Sequence, residues 1–220
     1  MKLLREENKM KKFELTTETK INISGKKLFR IKALISFGLI IAGEKGGWIE
    51  KEENLSQYGN AWIYDDAEVS GNAWIYDNAM VYGNAMVYGN AWVYGNAWVC
   101  GNACVRGNAE VSGNTLVSGN TLVSGNTLVS GNARICGNAE VSGNARICGN
   151  ADYTTIHGFG TQFRTTTFFR CKDKEIRVSC GCFFGTISEF RDQVKRTRKG
   201  KVAEEYLMIA DLMEKHFKEE

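Results

Sequence analysis

Residues 88–112 read YGNAWVYGNAWVCGNACVRGNAEVS, a unit of six residues repeated four times without a slip. The same period runs outward in both directions, with Gly-Asn or an Asp/Asn variant recurring from Gly59-Asn60 to Gly149-Asn150. Self-similarity at a short fixed period is the signature of a solenoid. The unit is V-x-G-N-A-x: an aliphatic residue stands at every sixth position from Ile63 through Val93 and Val99 to Ile147. A small residue, Ala61 through Ala145, lies two before each, with Thr115, Thr121 and Thr127 replacing Ala. Outward, inward, outward alternation around each Val is a short strand, and Gly-Asn tolerates the positive φ of a corner.

One such strand is not stable alone. Burying its Val stabilises by roughly 1.5–3 kcal/mol, while ordering each backbone residue costs about 1–2 kcal/mol. Stacking supplies the rest, because parallel strands share a hydrogen-bond ladder and each repeat packs on its neighbours. A closed coil needs three sides, so three hexads make one turn and the array makes about five coils, each rising about 4.8 Å. The expected fold is mostly β: a parallel β-helix of hexapeptide repeats, with a small N-terminal β cap and a C-terminal α+β unit of a hairpin plus two helices. The expected division is 1–52 for the cap, 53–154 for the β-helix and 155–220 for the C-terminal domain.

With three hexads per coil, every third unit shares a face. One face carries Trp62, Met80, Trp98, Leu116 and Arg134, a second Trp74, Trp92, Glu110, Leu128 and Arg146, and the third Glu68, Met86, Cys104, Leu122 and Glu140. After each inward residue, Tyr64, Tyr76, Tyr82, Tyr88 and Tyr94 crowd the first coils and serines occupy later ones. The first coils therefore carry an outer belt of Trp62, Tyr64, Trp74, Tyr76, Met80, Tyr82, Met86, Tyr88, Trp92, Tyr94 and Trp98. Such rings also stack across strands for stability. A contiguous apolar area of this composition marks an interface, and this belt is the candidate partner-binding surface.

The V-x-G-N-A-x unit resembles the hexapeptide-repeat superfamily, whose tubes are left-handed, although the general rule for parallel crossovers favours the right hand. The wording LFRIKAL followed by AGEKGGWIEKEENLSQYGNAWIYDDAEVSGNAWI resembles, over residues 12 to about 154, the YdcK-like hexapeptide-repeat proteins of prophages and bacterial genomes. That resemblance implies a phage or prophage setting, not an activity. Acyltransferases of the superfamily use a histidine between subunits and loops extruded from the coils; this array has neither. The superfamily's carbonic anhydrases need three metal-binding histidines, and the chain has His157 and His216 alone. Asp65, Asp66, Asp77, Glu68, Glu110 and Glu140 have no nucleophile or base beside them and read as solvated surface.

The ends do not repeat. FELTTETKINISGKKLFRIKAL reads as strands around a turn at Ser24-Gly25, and the apolar run Ala33 to Gly43 as a buried strand, too short for a bilayer. The N-terminal MKLLREENKMKKFEL lacks the apolar run of a secretory signal. Beyond the array, a hairpin turns at Lys172-Asp173-Lys174 and two helices break near Gly200, the second with Tyr206, Ala210, Met213 and Phe217 at helical spacing. Seven cysteines without a secretory signal fit a reducing cytoplasm. Cys171, Cys180 and Cys182 with His157 or His216 are poorly spaced for zinc, so buried or free thiols are expected, with no metal and no cofactor. Cys100, Cys136 and Cys148 read as surface thiols. Lys195, Arg196, Arg198, Lys199 and Lys201 form a basic run that reads as a solvated linker, since no aromatic residue interrupts it.

The expected function is that of a non-enzymatic, phage-encoded scaffold that binds a protein partner, such as a host defence component, or a second copy of itself, with no membrane partner. Two alternatives remain. One is a degenerate acyltransferase or small-ligand sequestering oligomer, and the other a nucleic-acid binder through the basic segment.

Overall fold

A computed structural model describes residues 11–218. The first ten residues, which carry most of the stretch read above for a secretory signal, lie outside the described residues. The six-residue period becomes fifteen two-residue strands, β4 (Trp62–Ile63) through β18 (Arg146–Ile147). Strands one coil apart pair in parallel: Val99 lies between Val81 and Val117, and Trp98 between Met80 and Leu116. The pairings sort the tube into three sheets whose outer residues are those expected for the three faces. The inward Val, Ile and Ala residues are all but completely buried and form one continuous core.

Corners follow from the same stacking. Gly89, Gly101 and Gly119 have φ of 77°, 69° and 79°, and each sits directly on the glycine one coil on. The following asparagines form side-chain ladders along the three edges, as in Asn60 to Asn78 at 3.0 Å and Asn84 to Asn102 at 3.2 Å. Asp65 and Asp77 take the glycine position at φ 51° and 58°, and their carboxylates accept from the backbone N–H of Gly83 and Gly95. In one coil the inward small residues are Thr115, Thr121 and Thr127, all buried. The Thr127 hydroxyl donates to the Ser124 carbonyl at 2.6 Å, whereas those of Thr115 and Thr121 have no partner among the described residues.

The N-terminal cap is a hairpin of β1 (Phe13–Ile21) and β2 (Lys27–Ala33), turning where the Asn22 carboxamide accepts from Ser24 and Lys26 N–H, with Gly25 at φ 75°. β2 pairs with β3 (Lys45–Ile49), which pairs in parallel with the tube, Ile49 against Val69, and Leu55 bridges Ile75 in the same sense. The coil stacking therefore starts before the first Gly-Asn corner, and the solenoid has about six turns instead of about five.

Ala33 to Gly43 is not a buried strand. Past Ala33 the chain folds back at Gly38 (φ 52°) into a small loop closed by Phe37 and Ile40; Ile40 is buried, whereas Leu39 and Ile41 are 84% and 71% exposed. The glycine reverses the chain before a strand long enough to pair can form.

At the other end an antiparallel sheet of β19 (Tyr153–Phe159), β20 (Arg164–Arg170), β21 (Ile176–Cys180) and β22 (Phe183–Thr186) closes the tube. β20 lies on the last coil: Phe169 and Cys171 join the tube core, Cys171 bridges Ala145, and Lys172 N–H donates to the Asn144 carbonyl at 3.0 Å. Phe168, on the opposite side of that strand, packs under α1 (Ile187–Thr197) and α2 (Gly200–His216) with Phe190, Tyr206 and Met213. Thr186 caps α1 reciprocally with Glu189. The sequence shows the hairpin and both helices; β19 and β22 are additional. Among the described residues no helix is long and apolar enough to cross a membrane.

Candidate functional site

The strand period puts two outer side chains beside each inward residue, and parallel register stacks them coil on coil. On one face Trp74 registers with Trp92, and Trp92 with Glu110. The indoles meet edge to face at 6.3 Å; Trp74 stacks on Tyr76 at 4.2 Å, and Tyr76 lies parallel to Tyr94 at 4.7 Å. The Tyr94 hydroxyl donates to the Glu110 carboxylate, and this bond, with burial second, raises its pKa. Burial pushes Tyr76 up to about 12. Trp74 and Trp92 remain 40% and 47% exposed. Together with Lys51, Glu53, Gln57 and Tyr58 of the segment 51–58 they line an open groove of about 850 Å³.

The adjoining face carries Met80, Tyr82 and Trp98, with Trp98 exposed and edge-on to Tyr82 at 6.3 Å. Tyr82 lies over Cys100; burial, then its hydrogen bond to this thiol, raises its pKa to about 12. Cys100 is accordingly buried, not a surface thiol.

Trp62 begins the same row, but it is fully enclosed and unavailable to a partner. Phe37 and Phe13 meet its ring edge-on at 5.4 and 6.3 Å, and a Cβ added to Gly46 would fall 2.7 Å from the indole. The cap thus lays its own core over the outside of the first coil. Tyr64, half-buried, packs against this junction.

On the third face Met86 and Tyr88 are half-buried, and the Cys104 thiol donates to the Tyr88 hydroxyl oxygen at 3.5 Å. This face runs into the charged outer side of the cap, where Trp48 lies between Lys20 and Arg30 at 4.7 and 4.9 Å. The exposed belt is thereby confined to two neighbouring faces, with its centre at Trp74, Trp92 and Trp98.

Three of the acidic residues on the coils have partners outside the coils. Glu68 pairs with Lys20 at 2.8 Å, Asp66 with Arg30 at 3.6 Å, and Glu140 accepts from the Ser179 hydroxyl at 3.0 Å. Among the described residues no three His, Cys, Asp or Glu side chains gather as a metal site. Cys171 lies at the tube end, where burial pushes its thiol up to about 11, while Cys180 and Cys182 border a separate small cavity beside α1.

A family model described as the YdcK beta-solenoid repeat matches residues 73–87, 81–95, 85–101 and 133–149. A protein of Escherichia coli (strain K12) named "Uncharacterized acetyltransferase YdcK" is 46% identical over 43 residues. The match spans 20% of this chain and 13% of that protein's length.

Proposed function

We propose that this chain, whose tube is built of YdcK-type β-solenoid repeats, is a non-catalytic scaffold that docks a protein partner on its aromatic faces. The observation that carries the reading is the pair of exposed indoles in register, Trp74 and Trp92, continued around the corner by Trp98. Trp and Tyr are the residue types that dominate interface hot spots. Their rings are held here by stacking on one another, so docking orders few new rotamers. Caps at both tube ends direct association to the sides. In the phage or prophage setting that the resemblance implies, such a surface acts by occupying a host protein, a defence component being one instance.

The test uses paired baits, wild type and Trp74→Ser/Trp92→Ser, in affinity capture from bacterial lysate, followed by binding of each bait to the purified candidate. A partner that binds wild type directly and is lost by the variant, whose melting temperature is unchanged, supports the reading. Equal binding by both baits overturns it.

The printed name of the Escherichia coli relative favours a second reading, an acetyl transfer at the groove beside Trp74 and Trp92. Acetyl-coenzyme A should then raise the melting temperature through binding to the folded state. No shift, and no release of free coenzyme A with amine acceptors, would remove it.

A further inference from the structure

We propose that the corner formed by the start of β20, the β21–β22 turn and the α1–α2 junction is a binding site for single-stranded nucleic acid, with Arg164 and Arg198 gripping a phosphate. These two arginines come from distant parts of the chain and line one cavity of about 150 Å³, together with Gln193, Thr197, Tyr206 and Cys182. The space accommodates one phosphoryl group.

Three observations point to an anion there. Elsewhere in the C-terminal region Arg170, Arg177 and Arg191 are each held by carboxylates, at 3.5, 2.8 and 2.6 Å. Among the described residues Arg164 and Arg198, the two arginines that line the cavity, have no ion pair; Arg198 donates only to the Thr197 carbonyl, at 3.3 Å. Guanidinium groups of like charge around one small cavity repel one another until an anion sits between them. Second, the Arg164 guanidinium lies where a Cβ on Gly181 would be, 2.3 Å from its Nη1, so the turn's glycine provides the space the guanidinium occupies. Third, Lys195 and Lys199 are exposed at this corner, Lys201 is exposed and pairs with Glu205 of its own helix at 3.6 Å, and α2 begins there without a side-chain cap or an acidic residue in its first turn.

A row of cations around a phosphate-sized cavity fits a ligand with several phosphates in line. The basic run lacks aromatic residues of its own, which from sequence favours a plain linker. Folding supplies them from another segment: Phe163 precedes Arg164 and is 66% exposed, and Phe159, 37% exposed, is the cross-strand partner of Arg164. Exposed rings beside a cationic track are how sequence-tolerant proteins hold a single strand, by stacking its bases.

The experiment is fluorescence anisotropy of the full chain with a fluorescein-labelled single-stranded DNA of about 20 nucleotides, long enough to cover such a site. Wild type should bind in low salt, and Arg164→Gln/Arg198→Gln should weaken binding at least about tenfold and reduce the slope of log affinity against log salt by about 1.4, two phosphate contacts at roughly 0.7 each. Arg146→Gln, an exposed arginine on the tube, should bind as wild type does. A readout on the unmutated protein accompanies this: saturating DNA should slow maleimide modification of Cys182, with the exposed Cys136 and Cys148 as internal references. Absence of binding, a double variant that binds as wild type, an unprotected Cys182, or equal affinity for duplex would each overturn the proposal.

Discussion

Replacing Thr115 and Thr121 by valine should stabilise the tube. Both residues are 1–2% exposed and their hydroxyls lack a hydrogen-bond partner among the described residues, whereas Thr127 in the same coil has one, the Ser124 carbonyl at 2.6 Å. An orphaned buried hydroxyl costs about 1–3 kcal/mol in desolvation, and the isosteric methyl adds up to about 0.8 kcal/mol of burial. Each valine should therefore gain roughly 1–4 kcal/mol. Thr127→Val loses a satisfied bond and should cost about 0.5–1.5 kcal/mol. Urea unfolding followed by circular dichroism gives the three midpoints at constant slope. If Thr115→Val and Thr121→Val proved no more stable than Thr127→Val, the reasoning that hydrogen bonding separates these positions would be refuted.

Trp62→Ala should cost about 3–5 kcal/mol, the range for an emptied aromatic core site, whereas Trp92→Ala should stay within about 1 kcal/mol; thermal denaturation compares them. Gly137→Ala places a Cβ in open space at φ 74° and should cost about 1–2 kcal/mol, while Gly119→Ala also drives the Cβ to 2.6 Å from the Gly137 carbonyl oxygen and should cost visibly more in the same assay. Lys12 is buried against the Ala61 carbonyl at 3.0 Å, and burial lowers its pKa from 10.5 to about 8. Between about pH 8 and 10.5 the unfolded chain holds this proton and the folded chain does not, so this residue's contribution to stability rises with pH across that window. Lys12→Met should accordingly be more stable than wild type near pH 7, with the difference in melting temperature shrinking as pH rises to 10.5. A constant difference would show that burial of the ammonium is not the cause.

The tube was legible because its instructions are local and repeated. An inward Val every sixth residue determines both the coil and the face on which every outer neighbour lies, and Trp98 between Met80 and Leu116 follows from counting alone. Sequence order says nothing about what a non-repeating segment will cover, and Trp62 is the consequence: identical in context to Trp74, it is enclosed because Phe13 and Phe37 fold over it. The additional coil was visible only as the six-residue step from Ile49 to Leu55, without the Gly-Asn corners that mark the others. Cys100 is buried, with its thiol hydrogen-bonded to Tyr82 one coil away, a contact set by side-chain direction and not by period. At the C-terminal corner Arg164 and Arg198 lie on separate elements, so their convergence depends on the strand order of the sheet and has no signature in sequence spacing.

Oxidative footprinting of the five tryptophans by mass spectrometry, on the free chain and on its complex with the captured partner, tests most directly whether this tube presents its rings for docking. Trp74, Trp92 and Trp98 should oxidise readily in the free protein while Trp62 resists, and the partner should protect Trp74 and Trp92. Rapid oxidation of Trp62, or a complex in which Trp74 and Trp92 react as fast as in the free chain, would contradict it.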